Sequence, residues 1–265
     1  MIGNRRFLGR AAAGILLFVG CGMALPSTTF AEIVGIEFLE WQQHLNGTAR
    51  VDSDSFKGSE VDLQDDLGLH ETDYLTQERL WLHFTKRSYL VATHLASQRT
   101  GKEFLTSPLV FGGVIFAPGD TIKSRLEIRQ DSLLYRYDFI DFPIFKLGIP
   151  FGAERLHFRT EVESSATGFV GDGSDGGTFP VVGLALSIQP IPIIHVSGEA
   201  EGMRVNFQGN DYRFYDARGQ VEFHFAPFVG LNLGYRRGVT DVNLEGLGKL
   251  DLTQKGPYAT LTFRF

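Results

Sequence analysis

The strongest constraint on the fold is a strict alternation of apolar and polar residues, seen most clearly in DARGQVEFHF at 216–225. One face of this segment would carry Ala217, Gly219, Val221, Phe223 and Phe225, and the other Asp216, Arg218, Gln220, Glu222 and His224. Successive side chains of a β-strand point to opposite sides of the sheet, so the pattern predicts a strand with one apolar face. The same alternation recurs at 121–137, 154–164 and 192–202, which predicts an all-β fold.

Strand and loop lengths indicate which kind of all-β fold this is. The alternating segments run for about 10–14 residues, whereas strands of soluble domains average about 5–6 and a tilted membrane-crossing strand needs about 9–11. Short connections near 86–88, 141–143, 189–192 and 226–227 separate longer ones near 50–72, 100–119, 165–177, 206–211 and 240–255. Short turns at one rim and long loops at the other are typical of outer-membrane barrels. A soluble β-sandwich would share the alternation, with its charged face in water.

The segments predict a transmembrane antiparallel up-and-down β-barrel of about 10 strands, within a range of roughly 8–12. The predicted strands are 34–47, 73–85, 89–99, 120–137, 144–164, 178–188, 192–205, 212–225, 228–239 and 256–265. Twelve strands would require 103–120 to form one more hairpin of the wall. Closing the ring leaves no unpaired edge, which lipid would penalise.

The first 31 residues predict a secretory signal peptide. Arg5, Arg6 and Arg10 precede an apolar stretch, and Thr29-Phe30-Ala31 fits a small-x-small cleavage site. We therefore expect the barrel domain to comprise 32–265. A lipoprotein signal ending at Cys21 is the alternative interpretation. Because Cys21 is the one cysteine of the sequence, the predicted barrel domain offers no thiol for a disulfide, a nucleophile or a metal.

The C-terminal segment GPYATLTFRF predicts an assembly signal. Leu261, Phe263 and Phe265 fall on one face of the last predicted strand, and Phe265 ends the sequence. An amphipathic last strand ending in Phe resembles the signal read by the barrel-assembly machinery of Gram-negative outer membranes. We therefore expect that machinery, outer-membrane lipid and lipopolysaccharide as partners. The formal net charge of −6 and the lack of a basic patch argue against nucleic acid.

If the apolar faces meet lipid, the charged faces should line the lumen. The predicted luminal network consists of Arg79, Lys123, Arg125, Glu127, Arg129, Arg155, Arg159, Glu161, Glu199, Glu201, Asp216, Arg218 and Glu222. Mixed charges in a narrow barrel most simply pair and fill it, since unpaired buried charges are costly. A narrow pore with a selective charged lining is the alternative.

Two constellations could carry chemistry. His195 and Ser197 lie two apart on a predicted strand, so they share a face, and such a pair can activate a serine. This His-x-Ser resembles that of outer-membrane phospholipases and lipid A deacylases, but here it should face the lumen. Asp62, Asp65 and Asp66 in VDLQDDLGL are candidate ligands for a divalent cation, although their spacing differs from an EF-hand loop. A solvated acidic loop is the simpler interpretation, and we expect no cofactor.

Several stretches together resemble a broad group of Gram-negative outer-membrane β-barrel proteins. They are VDLQDDLGL, RLWLHFTKRSYLVATH, FGGVIFAPGDTIKSRLEIRQDSLLYRYDFI and the terminal YATLTFRF. The resemblance implies the fold and an outer-membrane location, and it supplies no substrate. We therefore expect a non-enzymatic outer-membrane barrel with a structural, surface-interaction or narrow-channel role. A solute-conducting porin is the alternative, followed by a lipid-modifying hydrolase that uses His195 and Ser197.

Overall fold

A computed structural model of the protein describes residues 33–53, 56–207 and 209–265. The predicted signal peptide lies outside these described residues. Ten long strands form the wall: β1 (Val34–Val51), β3 (Thr72–Thr85), β4 (Ser88–Phe104), β7 (Thr121–Asp141), β8 (Phe145–Ser164), β9 (Val170–Ile191), β10 (Ile194–Phe207), β11 (Asn210–Ala226), β12 (Val229–Leu244) and β13 (Gly248–Arg264). Three short strands lie in loops: β2 (Val61–Asp62), β5 (Leu109–Phe111) and β6 (Val114–Phe116). No helix in the described part of the chain is long and apolar enough to cross a membrane.

The ten long strands form a closed antiparallel barrel, which confirms the predicted fold class. Each strand pairs with its sequence neighbour in the wall, and β13 pairs with β1 to close the ring. The seam keeps one register from Gly35–Arg264 to Val51–Gly248, with an interruption at Gln42 and Gln43, and the Phe265 N–H donates to the Val34 carbonyl at 2.7 Å. Closure pairs the backbone groups at the edge strands, as lipid requires.

The wall strands are longer than the sequence predicted. Residues 170–177 belong to β9, and most of 240–255 belongs to β12 and β13, so two predicted long loops are largely strand. The 103–120 region does contain a hairpin, β5–β6, but it forms its own two-stranded sheet and adds no strand to the wall. We call the end with the turns near 86–87 and 142–144 the short-turn end. The opposite end is the loop end.

The outward face of every wall strand changes character at one level. Towards the short-turn end it is apolar, as in Leu133, Tyr135, Tyr137 and Phe139 of β7. Moving towards the loop end, the first outward polar residues form a boundary ring, and all are exposed: Glu40, Glu78, His94, Asp131, Arg155, Thr178, Arg204, Arg213, Arg237 and Lys255. Below this ring lies an unbroken apolar band of the kind that barrels present to lipid.

Above the boundary ring the two faces exchange roles, which corrects part of the predicted luminal network. Seven of its members face outward, half-buried or exposed: Lys123, Arg125, Glu127, Arg129, Arg155, Arg159 and Glu161. Their apolar neighbours, such as Leu126 and Phe158, are buried inside the barrel. The prediction was wrong because it took every apolar face for a lipid face. The strands continue beyond the apolar band, and there the hydrophobic effect places apolar side chains inside.

The outward charges of β7 and β8 form a cross-strand ladder. Lys123 opposes Glu163, Arg125 opposes Glu161, Glu127 opposes Arg159, and Asp131 opposes Arg155. Opposite charges facing each other across an antiparallel pair stabilise the sheet modestly in water. The ladder therefore marks a surface made for water and not for lipid.

The VDLQDDLGL segment completes the wall and fills the mouth of the barrel. β2 pairs with β1 through Ala49–Val61, and Leu69 bridges to Gly101 of β4, so 61–69 occupies the gap above the start of β3. The Asp62 carboxylate accepts hydrogen bonds from the Gln64 and Asp65 N–H groups at 2.8 and 2.9 Å, as a helix N-cap does. We call residues 61–71 the plug segment. Four of its apolar side chains are buried in the core: Val61, Leu63, Leu67 and Leu69.

Glycines allow the plug segment to approach the wall. Gly68 has φ +63° and reverses the chain, and a Cβ there would lie 2.5 Å from the Lys102 carbonyl oxygen. A Cβ at Gly101 would lie 2.4 Å from the Gly68 backbone. The two glycines therefore let the backbones touch where a larger residue would push them apart.

Arg99 anchors the same segment from below. Its side chain is 2% exposed, and it donates to the carbonyls of His70 (2.6 Å) and Glu71 (3.0 Å) and to the side-chain oxygen of Gln43 (2.8 Å). One guanidinium thus ties the end of the plug segment to β1 and β4. Removing it would take a donor from the part-buried His70 carbonyl and from the buried Gln43 side-chain oxygen.

The β5–β6 hairpin crosses the mouth. Gly112 and Gly113 form its two-residue turn with φ +56° and +80°, as Gly-Gly hairpins do. The Gly112 N–H donates to the Val51 carbonyl at 3.3 Å, and a Cβ on Gly112 would lie 2.6 Å from the Asp172 backbone. Val51 is on β1 and Asp172 is on β9, which lies five strands away across the ring. The hairpin therefore spans the barrel from wall to wall.

The outward apolar band gives a direct test of depth. We expect Leu233→Arg, within the band on β12, to lower the free energy of unfolding in phospholipid vesicles by about 2–4 kcal/mol, the cost of an arginine at mid-bilayer. Asn243→Arg, outward on the same strand but above the boundary ring, should have almost no effect. Denaturant titration of both variants measures this, and equal effects would contradict the assigned band.

The anchoring role of Arg99 predicts a second effect. Arg99→Leu should lower the free energy of unfolding by about 3 kcal/mol, because the His70 carbonyl and the Gln43 side-chain oxygen lose their donor, at about 1–3 kcal/mol each. The Arg99→Leu substitution should also expose the plug segment to limited proteolysis. Arg129→Leu is the matched control, since Arg129 is exposed to water on β7. A protease-resistant Arg99→Leu protein would show that the plug segment is held by other contacts.

Candidate functional site

The lumen below the plug is crossed by an ion-pair network. Glu199 on β10 accepts from Arg79 on β3 at 2.9 Å and from Arg218 on β11 at 2.5 Å. β3 and β10 are five strands apart in the ring, so the Arg79–Glu199 pair spans the lumen. Two guanidinium groups on one carboxylate compensate its burial. At this level of the barrel, Arg79, Glu199 and Arg218 therefore form a paired group of mixed charge.

A second group of the network surrounds Arg236 on β12. Its guanidinium donates to Asp216 at 2.8 Å and to the side-chain oxygen of Gln77, and it lies 4.7 Å from the centre of the Trp41 ring. Arg236, Asp216 and Trp41 are all buried. The predicted luminal residues that do face inward are Arg79, Glu199, Glu201, Asp216, Arg218 and Glu222.

A polar cavity of about 270 Å³ lies between this network and the short-turn end. Its lining includes Ser187, His195, Ser197, Glu222, His224 and Arg264. The two histidine side chains are 24% and 25% exposed, so water reaches them. The cavity is therefore the candidate functional site of the described part of the chain.

Strand register brings His195, Glu222 and His224 together. His195 on β10 lies directly opposite Glu222 on β11, and His224 follows Glu222 by two residues on the same inward face. The His195 Nδ1 is 3.2 Å from one Glu222 oxygen, and the His224 Nε2 is 3.3 Å from the other. The alternation predicts an inward face for all three residues but does not by itself bring them together. If the turn between β10 and β11 is centred at 208–209, residue 195 pairs with residue 222, so this pair could have been predicted from the sequence.

Two register shifts in the wall lie beside the two histidines and affect how their side chains point. The β9–β10 register shifts between Ile194 and Val196, so His195 sits in a bulge. The β11–β12 register shifts between His224 and Ala226, next to the second histidine. Bulges bend a strand and redirect its side chains, and they are common beside functional sites.

The absence of a side chain at Gly230 leaves room for the Glu222 carboxylate. It is 2% exposed, and a Cβ on the neighbouring Gly230 would lie 2.1 Å from its Oε1. Arg264 donates to the same oxygen. The carboxylate is therefore fixed on one side by an arginine and directed on the other towards His195.

The predicted pair of His195 and Ser197 does not form the contact that we expected. Both line the cavity, but the hydroxyl on His195 belongs to Ser187, whose Oγ lies 2.6 Å from Nε2. Ser187, His195 and Glu222 thus follow the order of a nucleophile, a base and a carboxylate. Acyl transfer also needs hydrogen-bond donors for the oxyanion that forms during the reaction. Ser187, however, lies within a strand that is paired on both sides, with Lys146 on β8 and Ser197 on β10.

The other candidate residues have structural positions. Asp62 and Asp66 are hydrogen-bond acceptors for the plug segment, the latter from the Asp62 N–H at 2.7 Å, and Asp65 is exposed. The carboxylates of Asp62 and Asp66 therefore stabilise the turn. Leu261 and Phe263 face outward in the apolar band, with Phe265 exposed beside them. The face predicted for the assembly signal is thus on the outside of the barrel.

The comparisons with known proteins agree with the fold and go no further. No protein-family model and no curated protein sequence matches this chain. The outer membrane protease OmpT from Escherichia coli is similar in structure, with a TM-score of 0.56 and 12% sequence identity over 91% of this chain and 99% of that one. The translocator domain of the autotransporter NalP from Neisseria meningitidis has a TM-score of 0.49 and 10% identity over 88% of this chain and 89% of its own. The chain therefore has an outer-membrane β-barrel fold.

Proposed function

We propose that the protein is a non-enzymatic integral outer-membrane barrel without a continuous pore, with a structural or surface-interaction role. The carrying observation is the sealed mouth. Val51 at the end of β1 contacts Gly173 on β9 across the ring, where a Cβ on Gly173 would lie 2.7 Å from Val51 Cγ1. The β5–β6 hairpin and the plug segment close the remaining space, so solutes have no open path at this end.

The surface pattern supports the proposed location and orientation. The apolar band is suited to outer-membrane lipid, and the loop end, with its charged outer wall, would project from the cell. The short-turn end would face the periplasm, as in outer-membrane barrels. Residues 1–31 would direct export, and Leu261, Phe263 and Phe265 would be read by the barrel-assembly machinery. The charged wall above the band would then lie within the lipopolysaccharide layer.

A narrow channel is the alternative role, and it would need several contacts to open. The hairpin and the plug segment would have to leave the mouth, Val51 would have to separate from Gly173, and the Arg79–Glu199 pair that spans the lumen would have to break. Breaking one of these contacts leaves the others in place. The closed barrel is therefore the better account of these contacts.

Planar-bilayer recording tests the proposal. We expect the purified protein to give no steady single-channel conductance. A variant in which short Gly-Ser linkers replace 61–69 and 105–120, combined with Val51→Gly, Arg79→Ser and Glu199→Ser, should conduct, because the contacts that close the mouth and the pair that spans the lumen are then removed. Steady conductance of the unaltered protein would overturn the closed-barrel proposal.

The barrier across the lumen also predicts a coupling energy. Arg79→Met and Glu199→Gln should each destabilise the barrel, and the double variant should lose less than the sum, because removing one partner leaves the other charge buried. A double-mutant cycle from denaturant titrations in lipid measures this. The Arg125 and Glu127 pair, on the outer wall, is the control and should show only weak coupling. Additive effects at Arg79 and Glu199 would mean that the charges do not stabilise each other.

A further inference from the structure

We propose that His195, Glu222 and His224 form a binding site for one divalent transition-metal ion, of the zinc type, inside the barrel. The inference goes beyond the closed-barrel function and does not depend on it. Two imidazoles and one carboxylate are donors that suit Zn²⁺, and sites with three protein ligands leave a fourth position for water.

The distances between the donor atoms fit such an ion. Ligands bound to one tetrahedral Zn²⁺ at about 2.0–2.1 Å lie about 3.3 Å from each other. His195 Nδ1 lies 3.2 Å from Glu222 Oε2, and His224 Nε2 lies 3.3 Å from Oε1 of the same carboxylate. One donor atom from each residue lies within 4.8 Å of the others, so modest side-chain rotations would bring both histidine donors to bonding distance of one ion held by the carboxylate.

The wall holds the three ligands in a fixed relation. His195 and Glu222 are register partners, and His224 lies on the same strand as Glu222. Their backbones are therefore positioned by the ladder and not by a loop. The side chain of Glu222 is nearly inaccessible, which keeps its carboxylate in one orientation.

Each ligand has a polar group that a metal site would use. The Ser187 hydroxyl on His195 Nε2 can accept that N–H, which leaves the Nδ1 lone pair directed towards Glu222. Arg264 holds one oxygen of Glu222 and leaves the other for an ion. His224 Nε2 makes no hydrogen bond of good geometry, although Glu222 Oε1 lies 3.3 Å away, so this nitrogen is available to an ion.

The cavity supplies the open coordination position and the route. Its volume of about 270 Å³ adjoins all three ligands and is large enough for several water molecules. Its lining extends to Asp138, Lys146 and Gln189 near the short-turn end, so an ion would enter from that end. His94 and Asp131 also make a His–carboxylate contact, but it lies exposed on the outer wall, and the described residues offer it no third ligand.

Metal titration of the full chain tests the inference. The protein, freed of metal with a chelator and without a histidine tag, is folded in detergent micelles and titrated with Zn²⁺ by calorimetry. We expect binding of one ion per chain, and Co²⁺ should report the same site through its visible absorption. Glu222→Gln and His224→Asn should abolish stoichiometric binding, and Ser187→Ala should weaken it about 10-fold or more.

The controls separate a lost ligand from a lost fold. His94→Asn removes a histidine outside the cavity and should bind Zn²⁺ like the unaltered protein. Every variant is checked for the change in gel mobility on boiling that a folded barrel shows, and Co²⁺ absorption is read on folded material. Lack of stoichiometric binding by the unaltered protein, or unchanged affinity in folded His224→Asn or Glu222→Gln, would overturn the proposal.

Discussion

The structure depends on one constraint: each wall strand passes through two solvents, so its outward side chains must suit lipid along one part and water along the other. The boundary ring marks the change on all ten strands. Below it, backbone groups must pair within the ring because lipid offers them no partners. Above it, the strands keep the same backbone hydrogen bonds, but water surrounds their outer face, so apolar side chains pack on the inside.

The two parts of the barrel are consequently stabilised in different ways. Above the boundary ring, the interior resembles the core of a soluble β-protein, with Leu63, Phe111, Leu126 and Phe158 packed together. Below it, the interior is polar and its order comes from charge pairs such as Arg79 with Glu199 and Arg236 with Asp216. The plug segment joins the two, since Arg99 lies beneath its leucines and bonds the carbonyls at its end.

Sequence reasoning reached the fold because alternation fixes which residues share a face. It predicted ten strands and the inward positions of Glu199, Asp216 and Glu222. It could not tell which face was inward for Arg125 or Arg159, since a charged face opposite an apolar one looks the same in a lumen and in water. The cross-strand ladder of β7 and β8 was the available signal, because complementary pairs such as Glu127 with Arg159 suit an open surface.

The candidate site was harder to predict because it depends on register and on bulges. The positions of His195 and Glu222 follow from the turn between β10 and β11, but the shift at Ile194–Val196 that brings Ser187 to His195 leaves no mark in the sequence. VDLQDDLGL shows another limit of a sequence pattern. Its aspartates stand out as candidate ligands, but the pattern does not reveal that Asp62 accepts from backbone amides or that the leucines fill the mouth.

In the proposed closed barrel, the cavity opens on one side only. Val51 meets Gly173 on the loop side, while His195 and His224 remain partly exposed on the short-turn side. A small solute that reaches these histidines would then arrive and leave through the same opening. Its occupancy would follow its concentration in one compartment alone, whatever the gradient across the membrane.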